Sequence, residues 1–122
     1  MIKILIVEDN DMNRDMLTRR LERFGFTIDV AINGQDAISK ANSYLPDIIL
    51  MDMSLPVMDG WEATRLLKQQ QGTSNIPIIG LSAHARDVDI TRGKEAGCDA
   101  YETKPLDFPH LVDTIKNLTA ID

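Results

Sequence analysis

The chain has 122 residues, 43% hydrophobic and 26% charged, with 13 Lys and Arg against 19 Asp and Glu for a net charge of −6. That length closes one hydrophobic core without staples, and the acidic balance argues against a direct reader of DNA or RNA and against docking on anionic lipid. The single cysteine, Cys98, permits no internal disulfide, and no Cys/His cluster has zinc spacing. No apolar run approaches the ~20 residues of a membrane span. Met1 leads straight into a strand-like run without a secretory pattern, so a cytoplasmic location is expected.

In chain order, Ile2 to Val7 is short, β-branched and almost wholly apolar, and reads as a strand buried on both faces. Met16, Leu17, Leu21 and Phe24 then form an apolar stripe at helical spacing. Residues 27–31 alternate, which suits a sheet edge. A second helical stripe is Ala37, Ile38, Ala41 and Leu45. Asp47 to Met51 is another buried strand. Ala63, Leu66 and Leu67 mark a third helix, and Ile76 to Leu81 a third buried strand. The segment Asp87 to Ala96 is the poorest helix, with only Val88, Ile90 and Ala96 apolar, and is expected to be loosely held. Residues 100–103 are mixed, as at a second edge. The last helix carries Phe108, Leu111, Val112, Ile115 and Leu118 on one face and Asp107 as its cap. Gly25, Gly34 and Gly97 fall where helix ends or turns belong.

Five strands alternating with five helices imply parallel βαβ units in a single α/β domain over residues 1–122, with helices on both faces of the sheet. The three buried runs must be central and the two mixed ones must be edges. The order 2-1-3-4-5, that of flavodoxin-like doubly wound sheets, meets this condition. The site is then expected beyond the carboxyl ends of strands one and three, where the order reverses.

Those strand ends carry chemistry. Strand one ends in Glu8-Asp9, strand three in Asp52, strand four in Ser82, and strand five near Lys104-Pro105. Three carboxylates in one crevice repel: a like-charged pair at 4 Å costs about 4 kcal/mol at an intermediate dielectric, which a proton or a cation must offset. Oxygen ligands without His or Cys favour Mg²⁺ or Mn²⁺, and Mg²⁺ on one or two carboxylates points to phosphoryl chemistry. Asp52 is the candidate nucleophile, since a carboxylate attacks phosphorus without prior deprotonation. Lys104 and the Ser82 hydroxyl are candidates to stabilise the transferring group.

With those residues in hand, the chain resembles a receiver domain of two-component response regulators over its whole length. The resemblance rests on Ile-Val-Glu-Asp-Asn at 6–10, Leu-Met-Asp-Met-Ser-Leu-Pro-Val-Met-Asp-Gly at 50–60, Leu-Ser-Ala at 81–83 and Lys-Pro at 104–105. It implies that Asp52 takes a phosphoryl group from a histidine kinase or histidine phosphotransfer protein. It implies that Glu8 and Asp9 hold Mg²⁺ with Asp52 and the backbone carbonyl of Ser54. Glu8 stands where many members carry Asp, a change that allows it to reach metal through water. Ser82 and Lys104 match the phosphoryl-binding hydroxyl and lysine. Ser82 and Tyr101 match a switch pair in which the hydroxyl moves toward the phosphoryl group and the aromatic turns inward. A cis Lys104-Pro105 bond is implied as well.

Output is then expected through protein binding, by the face of the fourth and fifth helices and the fifth strand, in a monomer or weak dimer. The run from Met1 to just past the last helix reads as a stand-alone regulator. The spelling Glu8-Asp9-Asn10-Asp11-Met12-Asn13 resembles receivers of hybrid kinases, so a domain of a hybrid kinase or multidomain regulator is the alternative. An aspartyl phosphatase would carry a second Asp where Ser54 stands, and a flavin carrier would need donors where residues 8–11 are acidic; neither turnover of external substrates nor a flavin is expected. Arg14, Arg19, Arg20 and Arg23 make the first helix basic, either as a partner face or as a solvated one. His84 lies near the crevice mouth, His110 reads as a surface histidine, and Cys98 reads as a small buried hydrophobe.

Overall fold

The computed structural model describes residues 2–53, 60–82, 91 and 94–120. Along the chain these form β1 (Lys3–Val7), α1 (Asp11–Glu22), β2 (Thr27–Ala31), α2 (Gly34–Tyr44), β3 (Ile48–Asp52), α3 (Gly60–Gln69), β4 (Ile78–Ser82), β5 (Ala100–Thr103) and α4 (Phe108–Thr119). Of the poor helix expected over 87–96, Thr91, Lys94, Glu95 and Ala96 are helical; the rest of it lies outside the described residues.

All strand pairs are parallel and the order is β2-β1-β3-β4-β5. The central strands are the β-branched runs, with β3 and β4 buried at every position. Alternation along them feeds two cores. Ile4, Ile6, Leu50, Ile79 and Leu81 point to the side where Leu17 and Leu21 of α1 and Leu111, Val112 and Ile115 of α4 pack. Leu5, Val7, Ile49, Met51 and Ile78 point to the other, against Ala37 and Ala41 of α2 and Ala63 and Leu67 of α3. Small residues on α2 and α3 let those helices sit close to the sheet.

Helix starts are set by short polar side chains. Asn10 accepts from Asn13 N, Asn33 from Asp36 N and Asp107 from His110 N, each satisfying a first-turn amide that has no partner in the helix itself. Gly97, at φ +112, ends the last turn before β5, where a Cβ would stand 2.8 Å from Lys68 Cγ. The apolar stripes are narrower than their spacing implies. Met16, Phe24 and Leu45 are exposed while Leu17, Leu21, Ala37 and Ala41 are buried. Phe24 lies beyond α1, and Leu45 is its helix's left-handed C-cap at φ +51, so neither continues the helical face.

Candidate functional site

β1 and β3 run in register, Val7 beside Met51, so Glu8 and Asp52, each one residue further on, emerge side by side. Glu8 N still donates to Ala31 O at 3.0 Å, and Asn10 then caps α1. The chain therefore turns from strand to helix within two residues, which leaves Asp9 exposed at the rim while Glu8 and Asp52 are 2% and 4% exposed. One carboxylate oxygen from each of Glu8, Asp9 and Asp52 lies within 4.8 Å of the others.

Lys104 arrives from the end of β5, two strands away. Its backbone N donates to Ser82 O at 2.7 Å, continuing the β4–β5 ladder, and its Nζ reaches 3.2 Å from Glu8 Oε1 and 3.5 Å from Asp52 Oδ2. The Lys104–Pro105 bond is cis. Ser82 is buried at the last position of β4. The structure thus brings Glu8, Asp9, Asp52 and Lys104 into one cluster and seats Ser82 on the strand that anchors Lys104. Ser54 and His84 lie outside the described residues.

The electrostatics follow from burial. Glu8 is pushed up to about 7, first by desolvation, then by its hydrogen bond with Asp52 and by the Asp52 charge; Lys104 and the Asn10 N–H pull the other way. Burial lowers Lys104, but Asp52 and Glu8 outweigh it and raise it above the ordinary lysine value. A proton on Glu8 is thus one answer to the repulsion among the acids. A cation is the other. An all-oxygen donor set, two members buried and one at the wet rim, fits a hard divalent ion that keeps some of its water, as Mg²⁺ and Mn²⁺ do.

Two glycines shape the site, although neither carries chemistry. A Cβ on Gly60 would lie 2.4 Å from Asp52 O and 2.7 Å from Met53 Cα, so α3 begins in direct backbone contact with the end of β3. A Cβ on Gly80 would stand 3.1 Å from Tyr101 Cδ2 and 3.0 Å from Met53 Cε. Tyr101 is half-buried against the core on the α3 side, and its hydroxyl oxygen is out of solvent. The available signal for Gly80 was a glycine inside a strand, where that residue weakens packing and often marks a close approach.

Arg14 is not a member of a solvated basic face. Its Nη1 donates to Glu8 O at 2.9 Å and its side chain is 18% exposed, against 73% for Arg19. Arg20 stacks on Phe108, 4.0 Å from the ring centre. A cleft of about 310 Å³ between α1 and the segment after β5, lined by Asn13, Met16, Arg20, Leu106 and Phe108, opens beside Glu8 and Lys104. Cys98 is half-buried rather than fully so, and its thiol is pushed up to about 11, mainly by burial, which leaves it unreactive near neutral pH. His110 is exposed, with Nδ1 2.8 Å from Glu102 Oε1.

The sequence pattern of the response regulator receiver domain matches residues 4–116. The chain is 37% identical over 114 residues to the polar-differentiation response regulator DivK of Brucella anthropi, covering 93% of each. Among solved structures it resembles the receiver domain of a sensor histidine kinase from Pseudomonas aeruginosa, which has magnesium coordinated in its active site cleft. That match has a TM-score of 0.90 at 33% identity and covers 97% of both chains. The chemotaxis protein CheY4 of Vibrio cholerae also superposes, with a TM-score of 0.90 at 28% identity over 97% of this chain and 98% of that one. Sequence pattern, sheet order and relatives agree: the chain belongs to the receiver domains of response regulators, the phospho-accepting modules of two-component signalling.

Proposed function

We propose that Asp52 is the phosphoryl acceptor and that the surrounding side chains serve its phosphorylation. The carrying observation is the convergence of Asp52, Glu8, Asp9 and Lys104 from three separate stretches of chain on one buried-to-exposed rim. A carboxylate oxygen of Asp52 bonds to phosphorus as the bond to the donor's imidazole nitrogen breaks and that nitrogen keeps the electron pair. Lys104, already drawn to this spot by two carboxylates, neutralises charge on the phosphoryl oxygens. The Ser82 hydroxyl donates to one of them.

Glu8, Asp9 and Asp52 would hold Mg²⁺, or Mn²⁺ in its place, with the Ser54 carbonyl as the further ligand that the family resemblance assigns. When bound, the ion supplies charge neutralisation for the phosphoryl oxygens and for the acids themselves. Ser54 stands where an aspartyl phosphatase would carry a second Asp, which supports chemistry confined to the chain's own phosphorylation and dephosphorylation. The donor is a histidine kinase or histidine phosphotransfer protein in the cytoplasm, and the cleft beside α1, whose lining includes Glu8 and Lys104, offers it a docking surface next to the acidic cluster. The effector is a downstream protein that reads the face carrying Tyr101. Ser82 and Tyr101 stand on neighbouring strands, Ser82 beside Thr103 and Tyr101 beside Gly80, which supports a switch in which movement of the first makes room for the second.

Incubation with Mg²⁺ and acetyl phosphate should add one phosphoryl group, read by intact-mass spectrometry. The Asp52→Asn variant should gain none. Equal labelling of that variant would refute the assignment of the acceptor.

A further inference from the structure

We propose that Arg14 is a positioning residue for the acidic rim, holding the Glu8–Asp9 peptide in the orientation that presents both side chains to a divalent cation. The inference rests on the reading of these acids as metal ligands. Arg14 sits one turn into α1, its N–H donating to Asn10 O at 2.9 Å. From there the guanidinium turns back over the loop: Nη1 donates to Glu8 O at 2.9 Å and Nη2 pairs with Asp11. The backbone of Glu8 is thereby tied at both ends, its N–H to Ala31 of β2 and its carbonyl to α1.

That carbonyl belongs to the same planar unit as the Asp9 nitrogen, so fixing its oxygen fixes the plane from which Asp9 departs. The Glu8 carboxylate has restraints of its own, from Asn10 N at 3.3 Å and Lys104 Nζ at 3.2 Å. Asp9, exposed at the rim, is the ligand whose direction depends most on the backbone beneath it.

Arginine suits this task because its rigid fork offers several donors in one plane, so one side chain spans a carbonyl and a carboxylate together. A lysine ammonium has no such plane. Pairing with Asp11 also offsets the guanidinium's charge, which would otherwise oppose a cation nearby. The two effects of removing Arg14 therefore have opposite signs. Loss of a positive charge strengthens Mg²⁺ binding, whereas loss of the positioning contact weakens it.

The experiment is a calorimetric titration with Mg²⁺ alone on wild type, Arg14→Gln, Arg14→Lys and Arg19→Gln, with thermal unfolding and an amide NMR spectrum of each metal-free protein. Arg19→Gln removes the same charge from the same helix without touching the loop. Both Arg14 variants should bind Mg²⁺ about tenfold more weakly, the lower end for groups that orient metal ligands. Arg19→Gln should match wild type, and the amide shifts of Arg14→Gln should concentrate at Glu8, Asp9 and Asn10. Should Arg14→Gln not fold, Arg14→Lys, which keeps the charge and the aliphatic stem, carries the comparison. Unchanged or tighter binding by folded Arg14 variants, or equal weakening in Arg19→Gln, overturns the inference and leaves the metal reading intact. Absence of saturable Mg²⁺ binding by wild type overturns both.

Discussion

Among the described residues, Glu8 is the acid whose environment departs furthest from that of its kind. It is a carboxyl almost out of solvent, hydrogen-bonded with a second carboxyl and 3.2 Å from one ammonium. Its pKa rises from 4.5 to about 7, so the metal-free folded chain holds a proton that the unfolded chain has released by pH 7. Its contribution to stability is then fully present below pH 4.5 and is lost as pH climbs through 7. Glu8→Gln, which keeps the neutral shape, should raise the stability of the metal-free protein at pH 8 by about 1–2 kcal/mol and change it little at pH 4.5, as read by urea unfolding at the two values. An equal effect at both would mean that packing, not ionisation, is responsible. The need for an offsetting proton or cation was legible from three acids at strand ends. Which acid takes the proton was not, because that depends on burial, and Glu8 and Asp9 are indistinguishable in sequence until one turns inward and the other out.

Strands and caps are the elements that local chemistry writes most plainly. β-branched runs became the central strands, mixed runs became the edges, and Asn10, Asn33 and Asp107 each stand at a helix start. The stripes were less reliable, since a period of 3.6 shows which face is apolar but not where the helix stops. Leu45 illustrates this. Its spacing continues α2, yet it closes that helix in the left-handed region at φ +51 and is 57% exposed. A Cβ in that conformation costs about 1–2 kcal/mol, part of which glycine's greater freedom in the unfolded chain offsets. Leu45→Gly should therefore stabilise the protein by about 0.5–1 kcal/mol, seen as a higher midpoint in denaturant at unchanged slope. A loss of stability would show that the leucine side chain contributes packing that outweighs its backbone strain.

The whole molecule places a rigid, two-sided sheet beneath a charged rim. Both cores lie on the sheet faces, so the acids at its carboxyl end can be strained by mutual repulsion without disturbing the packing that supports them. Binding there couples to global stability, because the unfolded chain does not bring residues 8, 9 and 52 together. Mg²⁺ at a hundredfold excess over its Kd should raise the unfolding free energy by about 2.7 kcal/mol, and Asp52→Asn should remove most of that gain. A thermal shift with Mg²⁺ that is the same in both proteins would place the ion elsewhere.

The amino-acid sequence alone determined the architecture: the alternation of buried strands with helices admits few parallel arrangements, and the acids, Ser82 and Lys104 stand at the strand ends in that order. Periodicity and strand length are local properties, and topology rules convert them into a sheet. Only the tertiary structure decided that the Arg14 guanidinium bonds the Glu8 carbonyl, that Gly60 and Gly80 make room for the Asp52 backbone and for Tyr101, and that Met16, Phe24 and Leu45 face outward. These are distances between groups far apart in the chain, or directions of single side chains, and no local pattern encodes either until packing has brought the elements together.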